Sequence, residues 1–246
     1  MEKTNLFKGP LNWLLRSGPN GALEGGNEVM LRRVLLLSAV LVLIPGFVQA
    51  QVATTSHDLT LQTGDSADRV CAYCHTPHMA AGAAAQDPLW NHTLSSTASY
   101  GVYGSSTLEP TNDIADIGAA TAGSATTTHL CMSCHDGTIA LGSLYNPPNT
   151  GVPTTIGVIG NITGTGADMG TSLADDHPVN FTYNTALATA DGELEDPSAN
   201  ATVAGLLDGA GKVQCSSCHD PHDDTNSPFL VVDNAASALC STCHNK

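Results

Sequence analysis

The chain has 246 residues, 23 acidic against 8 basic, for a net charge of −15, and 41% of it is hydrophobic while only 4% is aromatic. So acidic a surface repels nucleic acid and anionic membrane surfaces. So few aromatic side chains exclude an ordinary core built on large rings.

Residues 1–50 read as a targeting segment. Arg32 and Arg33 precede an apolar run from Val34 to Phe47, and Val48-Gln49-Ala50 supplies the small residues of a cleavage site. The run is 14 residues long, short of the about 20 that a membrane span requires. Cleavage after Ala50 is therefore expected, with no membrane insertion afterwards, and no cysteine stands there to carry a lipid. The polar lead before Met30 is foreign to a signal peptide, so translation is expected to start at Met30. The mature chain would run from Gln51 to Lys246, where Arg69, Lys212 and Lys246 face 20 acidic residues, a net charge of −17.

All eight cysteines fall into four C-x-x-C pairs, and His follows each pair directly: Cys71 to His75, Cys131 to His135, Cys215 to His219 and Cys240 to His244. With His at 10 of 246 positions, four such followers by chance have a probability of about 10⁻⁶, and C-x-x-C-H is the attachment signature of haem c. Disulfides have no use for the histidines, paired zinc sites would need an odd mixture of ligands, and a thioredoxin motif would need a βαβ pattern. Four covalently bound haems c are expected. Cys71, Cys74, Cys131, Cys134, Cys215, Cys218, Cys240 and Cys243 would form thioethers, and His75, His135, His219 and His244 would ligate iron from one face. Cys and His at i and i+4 share one helical face, so a helix of one or two turns should carry each motif.

The order of elements occurs twice. His57, Cys71-Ala-Tyr-Cys-His75-Thr-Pro-His78 and Cys131-Met-Ser-Cys-His135 parallel His177-Pro178, Cys215-Ser-Ser-Cys-His219-Asp-Pro-His222 and Cys240-Ser-Thr-Cys-His244. This predicts a first dihaem module over 51–146 and a second over 171–246. Between them, 147–170 is a Gly/Thr/Pro-rich loop in which Val158, Ile159 and Ile162 fit a short strand. Helical stretches such as Ala80 to Ala85 are scarce. The fold class expected is mainly irregular coil with short helices wrapped around four c-type haems and little regular sheet, the porphyrins standing in for a core.

The second axial position of each iron falls to His57, His78, His92, His129, His177 and His222, or to Met79, Met132 and Met169. Histidines exceed the need, so bis-histidine coordination is the economical reading. His78 and His222 lie three residues beyond a proximal His, too close to reach the far face of the same haem. They are assigned to the neighbouring haems, at Cys131 and Cys240. His57 and His177 stand ahead of their modules and are assigned to the haems at Cys71 and Cys215. His92 and His129 are spares, expected to be packing or surface residues, though either could replace His57.

The segments Ser56-His57-Asp58-Leu59, Cys74-His75-Thr76-Pro77-His78, Pro88-Leu89-Trp90-Asn91, Cys134-His135-Asp136-Gly137-Thr138, Asp176-His177-Pro178-Val179 and Cys218-His219-Asp220-Pro221-His222 resemble those of paired C-x-x-C-H multihaem cytochromes. Within these, they look most like the tetrahaem filament (nanowire) subunits of metal-reducing bacteria, of the OmcE type. The likeness covers most of the mature chain and is weakest from Pro147 to Gly170. It implies a secreted homopolymer with haems stacked along its axis, fed by other multihaem cytochromes and discharging to extracellular acceptors such as metal oxides. It also implies one distal His donated by the adjacent subunit, and His57, near the mature N-terminus, is the residue carried over to that role.

Electron transfer without catalysis is the function expected, since closed axial positions remove the open iron face that an enzyme needs. A monomeric periplasmic shuttle is the alternative within the same chemistry. A multihaem reductase would require an open iron, and an adhesive protein using haem as a staple would show no transfer between haems.

Overall fold

The computed structural model describes residues 52–63, 69–78, 80, 89–109, 117, 125–147 and 160–246, all within a compact unit spanning Gln49–Lys246. The targeting segment, Val158, Ile159, Met79 and the Ala-rich stretch beyond Ala80 lie outside the described residues.

Regular structure is sparse, as so polar and Gly-rich a chain dictates. Helices are α1 (Thr60–Thr63), α2 (Thr127–His135), α3 (Thr185–Asp191), α4 (Ala201–Leu206) and α5 (Ala238–Cys243), with 3₁₀ turns at Val70–Tyr73, Cys215–Ser217 and Ala235–Ser237. Two-residue strands are β1 (Gly101–Val102), β2 (Ser172–Leu173), β3 (Phe181–Thr182) and β4 (Lys212–Val213). β1 pairs in parallel with β2, and β3 runs antiparallel to β4 with Phe181 opposite Val213. Ile162 belongs to no strand.

The helices have local reasons to begin and end. Asn184 caps α3, its side-chain oxygen accepting from the Leu187 N–H at 3.0 Å, and Gly192 closes it at φ +74°, a left-handed conformation that costs glycine nothing. Asn200 caps α4 by accepting from the Thr202 N–H. At α2 the Thr126 N–H donates to Nδ1 of His129, a variant of the capping box with imidazole as acceptor.

No single core forms. Among the described residues the buried apolar side chains divide into three clusters: Phe181, Tyr183, Leu187, Ala188, Val203 and Val213; Tyr100, Ile117, Met132 and Leu173; and Leu59, Tyr73 and Leu141. Cys74 and Cys134 pack on the third cluster and Cys243 on the first. The motifs thus sit at the edges of small apolar islands.

The first and third motifs share one backbone frame. After the first, Thr76 N–H donates to the Leu89 carbonyl and Asn91 N–H to the Cys74 carbonyl, both at 2.9 Å. After the third, Asp220 N–H donates to the Phe229 carbonyl at 2.8 Å and Val231 N–H to the Cys218 carbonyl at 3.0 Å. Leu89 and Phe229, the matching acceptors, both adopt φ +60°, a strained conformation for large side chains. Each frame spends that strain on aiming a carbonyl at the residue after the motif histidine.

Candidate haem sites

Each motif closes on itself as the spacing predicts. His75 N–H donates to the Cys71 carbonyl at 2.8 Å, His219 to Cys215 at 3.0 Å and His244 to Cys240 at 2.9 Å. The second motif occupies the last turns of α2. Two sulfurs and one imidazole therefore project from each turn, and all eight cysteines are free of disulfides.

The histidines meet in pairs. His57 faces His135 with ring centroids 6.1 Å apart, His75 faces His222 at 5.9 Å, and His177 faces His244 at 6.3 Å. Two metal–nitrogen bonds of about 2 Å each, plus the two ring radii, separate the centres of trans imidazoles by about 6 Å. The three separations are of the size that two imidazoles sharing an iron would need, with the His75 and His222 rings stacked and the other two pairs edge to face.

Proton positions agree with that reading. Nδ1 of His135 lies 2.8 Å from the Ala167 carbonyl, that of His177 2.8 Å from the Pro178 carbonyl and that of His219 3.0 Å from the Pro228 carbonyl. A carbonyl can only accept, so Nδ1 carries the proton and the Nε2 lone pair is left for a metal. Nδ1 of His222 is likewise held by the Asp220 carboxylate at 3.1 Å. Burial and the imidazole beside it lower the pKa of His57, and the same two causes, with His177 as neighbour, lower that of His244.

These contacts differ from the order along the chain. His57, assigned above to the haem at Cys71 and to a neighbouring subunit, faces His135 of its own chain. His222 faces the first motif rather than the fourth, and His177 the fourth rather than the third. Contacts follow the spatial neighbourhood of the turns, and His222 returns from the second half of the chain to lay its ring beside that of His75 in the first. Among the described residues no second imidazole faces His219, and His78 faces none of the motif histidines.

The spare histidines are occupied otherwise. His92 is fully buried with Nδ1 3.0 Å from the Thr93 carbonyl and Nε2 3.1 Å from the Ala140 carbonyl, so neither nitrogen is offered to iron. Nδ1 of His129 accepts from the Thr126 N–H, which puts the proton on Nε2 and makes this residue a helix cap. Threonine three residues before His129 was a legible signal of that role. Met132 is buried in an apolar cluster, and Met169 is a third exposed.

Successive motifs lie close together: Cys74 and Cys134 pack on one apolar cluster, Thr127 and Thr128 of α2 bond to Ser216 and Cys215, and Cys218 neighbours Cys243. The attachment turns therefore adjoin in the order first, second, third, fourth. Burial pushes the thiols of Cys74 and Cys134 up to about 11 and about 12, surroundings suited to an uncharged thioether rather than a metal-bound thiolate. A cleft of about 530 Å³ opens beside Cys71 and His75, walled by Val70, Ala72, Pro77 and Leu89, an apolar lining for a porphyrin face. Donor set, spacing and lining fit haem c.

Two carboxylates escaped the reading of the sequence. Asp58 and Asp136 are 4% and 3% exposed, Asp58 just under the surface and Asp136 deeper. Ser95, Thr97 and Tyr100 hydroxyls and both the N–H and hydroxyl of Thr138 converge on Asp136. Burial alone would raise its carboxyl, but these donors outweigh it and hold it below the usual range. For Asp58 the Thr60 hydroxyl does most to lower the pKa, joined by the N–H groups of Thr54 and Thr60.

Residues 209–246, carrying the third and fourth motifs, match the family model of the doubled CXXCH motif. That match supports a multihaem c-type cytochrome. No curated protein matches the chain. Haem c bound through C-x-x-C-H serves electron transfer, and such proteins are typically exported. No described helix is long and apolar enough to cross a membrane.

Proposed function

We propose that this chain is an exported tetrahaem cytochrome that carries electrons along a row of four haems c and polymerises outside the cell. Cys71/Cys74, Cys131/Cys134, Cys215/Cys218 and Cys240/Cys243 hold the four groups. When bound, the haems supply one-electron redox chemistry, and this chain's residues set their order, axial ligands and surroundings. The adjoining sulfurs of the four motifs support a continuous path.

The observation that carries polymerisation is the pair left over. His219 is exposed, with Nδ1 tied to Pro228. His78 is exposed too, and its carbonyl accepts from the Thr76 hydroxyl at 2.8 Å and from the Asn146 side-chain amide at 3.0 Å, so a fixed turn presents the imidazole outward. His78 of one copy is the proposed distal ligand at His219 of the next. This replaces His57 in that role. Electron microscopy of the secreted protein tests it: His78→Ala should leave four haems per chain and abolish filaments, and intact filaments would overturn it.

A second reading rests on the same site. An iron at His219 with an exchangeable outer face would suit a reductase, and a persistent high-spin signal in the assembled, oxidised protein would favour that reading over a closed conduit.

A further inference from the structure

An aromatic ring from the second half of the chain reaches a histidine of the first. Phe229 lies on the ring of His57 with centroids 4.4 Å apart and planes tilted by 44°, and His57 in turn stands edge-on to His135 at 6.1 Å and 84°. We infer that Phe229 is a positioning residue that fixes the ring plane of His57 close to right angles with that of His135. The inference rests on the haem reading above, in which this pair shares an iron, and adds to it what orients one of the two ligands.

His57 lacks the usual means of orientation. Nδ1 of His135, His177 and His222 is held by a carbonyl or a carboxylate, which fixes the ring plane as well as the tautomer. Nδ1 of His57 is buried without a hydrogen-bond partner, and the Pro221 carbonyl, whose influence reaches the ring, does not satisfy it. With no such tether the Cβ–Cγ torsion of an imidazole is broad. Packing must then set the plane, and the phenyl ring is in contact to do so.

Phe229 is itself held on both sides by its backbone. Its N–H donates to Oδ1 of Asp224 at 2.9 Å and its carbonyl accepts from the Asp220 N–H at 2.8 Å, with φ at +60° between them. A large side chain keeps so unfavourable a conformation only where its surroundings impose it. Leu89 has the same φ at the matching place of the first frame, yet it is 53% exposed. The two frames share a backbone, and at this position only that of the third motif lays a ring on a histidine.

Electron paramagnetic resonance of the oxidised, haem-loaded protein tests the role, because the anisotropy of a low-spin iron(III) signal follows the angle between its two imidazole planes. Perpendicular rings give a large-g signal and parallel rings a rhombic one. The parent should include two large-g components, from the pairs at 84° and 74°, beside a rhombic component from the pair at 15°. Their absence would overturn the perpendicular setting itself. Phe229→Gly removes the ring while suiting φ +60°, so the backbone frame is kept. It should lose one large-g component while intact mass still counts four haems, and Phe229→Tyr should retain that component. Should Phe229→Gly lose a haem, Phe229→Leu, which fills the space without a flat face, decides by the same loss of signal. Four haems with an unchanged spectrum, or a haem lost from both variants, would overturn the positioning role. If instead His57→Ala keeps both large-g components, His57 is no ligand and the reading beneath the inference falls.

Discussion

At the scale of residues, histidine is sorted by what its second nitrogen touches. A ring whose Nδ1 donates to a carbonyl, such as His135 or His177, keeps a lone pair for iron, whereas His129 spends its lone pair on a helix N-terminus. His92, with both nitrogens against carbonyls in a fully buried site, is structural. Replacing it with alanine should therefore lower unfolding stability by about 2 kcal/mol through lost hydrogen bonding and a cavity. The optical spectrum should stay that of the parent, and loss of a haem from His92→Ala would contradict the assignment. The sequence separated His92 from His57 only by position, since His57 stands ahead of its module as His177 does, and the packing role expected of His92 is the one its buried contacts give it.

At the scale of elements, the second and third motifs are joined by a buried polar clasp. Gln214, with no exposed surface, accepts from the Thr128 hydroxyl on α2 and donates to Asn180 at 3.2 Å and Asp208 at 2.9 Å. Thr128 in turn accepts from the Cys215 N–H. Every polar atom of the glutamine side chain is satisfied, so Gln214→Leu should strand three partners and cost about 2–3 kcal/mol, read as a lower denaturation midpoint. The short helical turns bearing the motifs were legible, since i and i+4 spacing is a local matter. This clasp was not, because it joins residues distant in the chain whose types are common in loops.

At the scale of the whole molecule, small apolar islands and a net charge of −17 in the expected mature chain leave the fold dependent on what its motifs bind. Self-repulsion among copies should be strong at low salt, where the Debye length is about 30 Å at 0.01 M, and weaker at 0.15 M, where it is about 8 Å. Assembly measured by sedimentation should accordingly increase across that range, and a decrease would show that attraction between opposite charges, rather than axial ligation, joins the copies.

The sequence by itself determined the cofactor chemistry that its C-x-x-C-H motifs indicate and the irregular character of the chain. The first depends on residues within five positions of one another and the second on bulk composition, and neither needs a third dimension. Only the tertiary structure decided that the His222 ring lies beside that of His75, that His57 turns to His135, and that Asp58 and Asp136 are buried. Those facts depend on contacts between coil segments with no periodicity to set their direction. In a chain held by capped turns and scattered hydrogen bonds, spatial adjacency owes little to order along the backbone.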